Sequence, residues 1–128
     1  MADHTIVNLR EIDDSVGGRL DGLEARFSRT AIDSRDLGVS LFSYKPGVRP
    51  STGHRHREQE EAYVVVRGSG RVLLDGEVHD IALWDVVRVA PSVVRAFEAG
   101  PEGLEVIAIG GPKPEGGDGE QVEAPWPE

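Results

Sequence analysis

His54 and His56 stand two residues apart. In an extended backbone side chains alternate between faces, so both imidazoles would project the same way and could reach one ion, while Arg55 points away. The polar stretch Arg57–Glu60 reads as a turn, and Glu61 opens an apolar run in which it shares a face with Tyr63 and Val65. Two imidazoles and a carboxylate satisfy a hard or borderline divalent cation, and the same set forms the facial triad of non-haem iron oxygenases. The competing interpretation is a charged, solvated loop, since His-Arg-His-Arg-Glu-Gln-Glu-Glu is a charge run and most such runs face water. Spacing alone leaves both open.

Other side chains with chemical potential have plainer explanations. Tyr63 is placed to line a cavity, although an aromatic in a strand is more often packing. His79 follows the Asp75-Gly76 turn and His4 lies in a polar leader, so both read as surface residues. Trp84 and Phe97 are expected to fill the interior or an interface, and Asp85 to serve a turn. There is no glycine-rich phosphate loop and no serine-centred nucleophile motif. With no cysteine in the chain, thiolate ligands, disulfides and cysteine nucleophiles are excluded.

The elements that must hold these residues are short and rich in Val, Ile and Leu, with Gly and Pro between them, which favours strands over helices. Thr5–Leu9 reads as a first strand, while Leu23–Ile32 fits either a strand or a short helix. From Leu37 an alternating strand runs to Pro46-Gly47. Ala62–Val66, Arg71–Leu74, Val78–Leu83, Val86–Val89, Val93–Phe97 and Leu104–Ile109 follow, with Gly68-Ser69-Gly70 and Asp75-Gly76 read as successive hairpin turns. Regular short strands of this kind predict an all-β sandwich or closed barrel.

Length suits one domain. Residues 1–36 are read as an extension packing on a core of residues 37–110, and residues 111–128 as a Gly/Pro-rich acidic tail, docked through Trp126. The formal charge of −9, from 23 acidic and 14 basic residues, provides no basic stripe for nucleic acid or anionic lipid. No signal-peptide pattern or membrane-length apolar run occurs, so a soluble cytoplasmic protein with no nucleic-acid or membrane partner is expected. Several strands are apolar on both faces, Ala62, Val64 and Val66 lying opposite Tyr63 and Val65, so a homodimer is expected to cover the outer one.

As a whole, Gly47–Gly68 resembles the first motif of the cupins: Gly, a spacer, His-x-His, three or four residues, Glu, six residues, Gly. His54, His56, Glu61 and Gly68 keep that spacing, with Gly47 one residue further upstream than usual. The second cupin motif resembles Trp84–Gly100, and the likeness covers roughly Leu37–Ile109. It implies an antiparallel β-barrel of the jelly-roll or double-stranded β-helix type. It also implies a central metal site in many members, with dioxygenases, isomerases, decarboxylases, epimerases, storage proteins and sensors among them. Fold therefore does not settle function.

The second motif departs from the family in two places. Trp84-Asp85 replaces Gly-Asp, and Ala90-Pro91-Ser92-Val93-Val94-Arg95 replaces Pro-x-Gly-x-x-His, so the usual fourth ligand is Arg95. A guanidinium stays protonated and offers no lone pair. At about 5 Å it would repel a divalent ion by on the order of 6 to 7 kcal/mol at an effective dielectric near 20. Three arrangements are open: Arg95 pairs with Glu61 in place of a cation, Arg95 clamps an anionic ligand bound to the metal, or Arg95 leans outward and leaves a three-ligand ion with open positions. Three kinds of protein are weighed beside them. One is an enzyme, such as a dioxygenase or isomerase, holding iron, manganese, nickel or zinc through His54, His56 and Glu61, with Arg95 and Tyr63 contacting a small anionic molecule. The second is a metal-free ligand-binding or sensor cupin, and the third a scaffold with a vestigial pocket.

Overall fold

A computed structural model describes residues 3–128. It contains eight strands: β1 (Leu23–Phe27), β2 (Gly38–Tyr44), β3 (Thr52–Arg55), β4 (Glu61–Leu74), β5 (Glu77–Ile81), β6 (Val86–Val89), β7 (Arg95–Gly110) and β8 (Glu120–Glu123). All pairings are antiparallel and belong to one curled sheet. The all-β expectation holds. No helix among the described residues is long and apolar enough to cross a membrane.

Two long strands shape the barrel. β4 and β7 pair from Glu61↔Gly110 to Leu74↔Arg95, with register shifts between Val65 and Arg67 and between Gly68 and Gly70. Those shifts bend the ladder, so each strand serves both walls. The glycines are required there, because a Cβ on Gly68 would fall on the Gly103 carbonyl oxygen and one on Gly70 on that of Glu98. Gly68-Ser69-Gly70, expected to be a hairpin turn, is therefore a bend within one strand; only Asp75-Gly76 reverses the chain, between β4 and β5.

The first wall carries β1, β2, the second half of β7, the first half of β4, and β6. The second carries β5, the rest of β4 and β7, β3 and β8. Alternation sends Tyr63, Val65, Phe97, Leu104 and Val106 into the shared core. Behind the second wall, Ala124 and Trp126 of the C-terminal segment pack on Leu73 and Ala96.

Two expectations need correction. Thr5–Leu9 forms no strand: Asn8 caps a short 3-10 turn at Leu9–Glu11, and Ile6 is left exposed. Of the interior or interface expected for Trp84, the interior is excluded. The residue is 68% exposed, in a left-handed turn at φ 73, where its N–H bonds the Val65 carbonyl. The open segment 23–32 resolves into β1 followed by turns, because Leu23–Phe27 finds a full ladder on β2.

Candidate metal and ligand site

β3 and the residue that follows it bring His54 and His56 to the barrel interior, and β4 brings Glu61 and Tyr63. His54 Nε2 and His56 Nε2 each lie 3.2 Å from Glu61 Oε1. The phenol of Tyr63 donates to the same oxygen at 2.5 Å and lies 3.2 Å from His54 Nε2. Donors bound to one ion at about 2.0–2.2 Å, at right or tetrahedral angles, stand about 3 to 3.5 Å apart. The two histidine–Glu61 separations fall in that range, and ligand atoms of His54, His56 and Glu61 all lie within 4.8 Å of one another.

The environment prepares each group differently. Burial works to raise the Glu61 carboxyl, but His54, His56 and Tyr63, each with a polar atom within 3.2 Å of Oε1, together outweigh it and hold the group well below its usual range. Burial, reinforced by the charge of Glu61, pushes the Tyr63 phenol well up, so it keeps its proton and acts as a donor. The Glu61 carboxylate raises the His56 imidazole against the effect of burial, with help from Asp118.

Asp118 is the residue that sequence reasoning missed. Its side chain is fully occluded and accepts from His56 Nδ1 at 2.9 Å, and from the backbone N–H groups of Glu58 and Gln59 at 2.6 and 2.9 Å. A carboxylate can only accept here, so Nδ1 carries the proton and Nε2 turns toward Glu61. Nε2 is nevertheless off the hydrogen-bond direction and has no partner. Asp118 lies 62 residues from His56 in sequence. The one local signal is an aspartate set among Gly116, Gly117 and Gly119, where the chain can turn sharply. β8 then pairs with β3, from Thr52↔Glu123 to Arg55↔Glu120, and holds this segment in place.

Arg95 opens β7 directly opposite His54. The two backbones can meet because residue 53 is glycine; a Cβ there would strike the Arg95 carbonyl oxygen. The arrangement in which Arg95 leans outward does not occur. Its side chain is 0% exposed, with Nη1 donating to the Pro91 and Val93 carbonyls at 3.1 and 2.8 Å. Nη2 stands 3.7 Å from Glu61 Oε1, yet neither Nη2 nor Nε makes a hydrogen bond.

Two cavities adjoin the cluster. One, of about 470 Å³, is bordered by His54, Tyr63 and Arg95 and walled by Phe42, Tyr44, Phe97 and the segment around Val16 and Leu20. The other, of about 570 Å³, lies on the side of His56, Glu61 and Asp118 and has Arg29 and Lys113 in its wall. His79 is half-exposed beside Glu77, away from both.

No family model and no curated protein matches the sequence. Solved structures do match in fold. A cupin protein from Bacteroides fragilis is 18% identical at TM-score 0.72, over 88% of this chain and 86% of that one. A sugar phosphate isomerase of the cupin superfamily from Silicibacter pomeroyi is 20% identical at TM-score 0.71, over 86% and 77%. A variant of Bacillus subtilis oxalate decarboxylase is 21% identical at TM-score 0.72; the match takes in 92% of this chain and 33% of that longer one. The chain has the cupin fold.

Proposed function

We propose that this cupin-fold protein holds a divalent metal through His54, His56 and Glu61 and binds or acts on a small anionic molecule beside it. Arg95 supplies the counter-charge and Tyr63 a hydrogen-bond donor. The observation that carries this reading is His56: its Nδ1 is committed to the buried Asp118, while its Nε2 is buried, unpartnered and 3.2 Å from Glu61 Oε1. Such a carboxylate–histidine arrangement orients a lone pair toward an ion. When bound, the ion would supply Lewis acidity toward an oxygen of the ligand. The residues themselves fix the imidazole, keep the phenol proton in place and set the charge balance. That similar folds include an isomerase and a decarboxylase supports small-molecule chemistry of this kind.

A second reading, a metal-free ligand-binding or sensor protein, draws on the 3.7 Å approach of Arg95 to Glu61, where the guanidinium would stand in for the cation. Elemental analysis of the untagged protein, purified without chelator, separates the two. Near-stoichiometric metal that disappears in a His54→Ala, His56→Ala double variant is expected. No metal in the parent, even after soaking with iron, manganese, nickel or zinc, would overturn the metal site in favour of the second reading.

The reading also includes a homodimer. The outer face of β6, β4 and β7 carries Val86 and Ile109, 65% and 41% exposed, alongside Val64 and Ala62, to which they are paired in register. That apolar surface supports packing of a second copy. Light scattering across a concentration series should give a dimer mass; a constant monomer mass would remove this part.

A further inference from the structure

The 470 Å³ cavity has two unlike ends. At the inner end stand His54, Tyr63 and Arg95. The guanidinium there is 0% exposed, and two of its three nitrogens, Nε and Nη2, are buried without a hydrogen-bond partner. Unpaired donors on a buried cation are costly, and interiors satisfy them through protein groups, ordered water or a bound ligand. The second cavity does not include Arg95 in its wall.

Charge points the same way. Resting on the metal-site reading above, the buried charges at the cluster are a divalent ion and Arg95 against Glu61 and Asp118, leaving one positive charge uncompensated. A single negative charge on a ligand would neutralise it; a dianion would overshoot.

The outer end is mainly apolar. Phe42, Tyr44, Phe97, Val16 and Leu20 line it, with Arg19, Thr52 and Gln121 among the cavity's polar residues. The segment around Val16 and Leu20 is a closed loop rather than a loose strand end. Arg19 folds back onto the Ser15 and Val16 carbonyls, and Asp14 accepts from the N–H groups of Val16 and Ala25. A charged floor under aromatic and aliphatic walls suits a ligand with one anionic group and an apolar body better than a small polar diacid.

We infer that this cavity takes a monocarboxylate with an aromatic or branched apolar body, its carboxylate at the Arg95 end and its body between Phe97 and Leu20. A carboxylate matches the two free nitrogens of a guanidinium as a fork, and the walls exclude water from the body.

Calorimetric titration of the metal-loaded full chain, whose metal content is measured first, tests this with benzoate, its neutral isostere benzamide, and acetate. Benzoate should bind, with benzamide and acetate each at least tenfold weaker. Arg95→Met should abolish the preference for benzoate over benzamide. Because Arg95 also holds the Pro91 and Val93 carbonyls, that variant can misfold. Leu20→Trp, at a rim position 41% exposed, provides the second test. It should weaken benzoate at least fivefold with metal content unchanged. Protein that carries metal yet binds none of the probes would overturn the ligand class and leave the metal site standing. Equal binding of benzoate and benzamide would remove the role of charge, and acetate binding as tightly as benzoate the role of the apolar walls; either overturns the inference. Absence of metal would instead be the failure of the reading beneath it.

Discussion

Two of the arginine–glutamate groups in this molecule have opposite outcomes. Behind the second wall, Glu98 accepts from Arg49 Nε at 2.6 Å and Arg71 Nε at 2.7 Å, Glu128 bonds both arginines, and the Arg49 guanidinium lies 4.5 Å over the Trp126 ring. Inside the barrel, Arg95 reaches Glu61 only at 3.7 Å and leaves two nitrogens unpaired. The charges of the outer group are paired by the protein's own atoms, although the Trp126 indole N–H has no partner, and they tie the C-terminal segment to the sheet. The inner group is left incomplete at greater desolvation cost, which structure alone does not reward. Pairing separates the charges that hold the fold from those on which the proposed ligand site rests.

Asp118 belongs to the C-terminal segment but serves the interior, and it links the two groups. Asp118→Asn keeps an acceptor for the Glu58 and Gln59 amides while removing the charge that fixes His56. Metal affinity should fall about 10- to 100-fold with little change in folding. Competition with a chromogenic chelator measures it, and unchanged affinity would mean that Asp118 only anchors the chain.

A smaller effect is expected in the outer group. Arg71, and then Arg49, hold the Glu98 carboxyl below its ordinary value of 4.5 against the pull of burial. A carboxylate whose folded pKa is depressed contributes stability that is fully present above the ordinary value and is lost as pH falls through the folded one. With the side chain 19% exposed, the contribution is about 1 kcal/mol. Glu98→Gln should lower neutral-pH stability by about that amount and flatten the loss below pH 4.5, with metal content unchanged. Urea melts across the acid range would show it; a parallel acid limb would assign the acid sensitivity elsewhere.

Much of the interior was readable from sequence because its signals are local. The two-residue period of His54 and His56 needs only an extended backbone, and Glu61 and Tyr63 follow the same rule one strand later. Arg95 was visible as an exception to a motif. What escaped depends on partners far away in the chain. Gly68-Ser69-Gly70 looks like a turn until the Gly103 and Glu98 carbonyls are seen pressing on it from β7. The C-terminal segment holds too little apolar surface to predict order by itself, yet β3 offers it an unpaired edge and His56 offers Asp118 a proton. Trp84 is hydrophobic, but the backbone bond its turn makes to Val65 decides its place.

Gly53 carries no functional group, and its importance is easily overlooked. Because the β3 and β7 backbones touch across it, any side chain would wedge His54 away from Arg95. In a population of variants under selection for the site, position 53 would be purged of change as strictly as the ligands themselves. A search for related genes would therefore gain as much from Gly-His-x-His as from the two histidines alone.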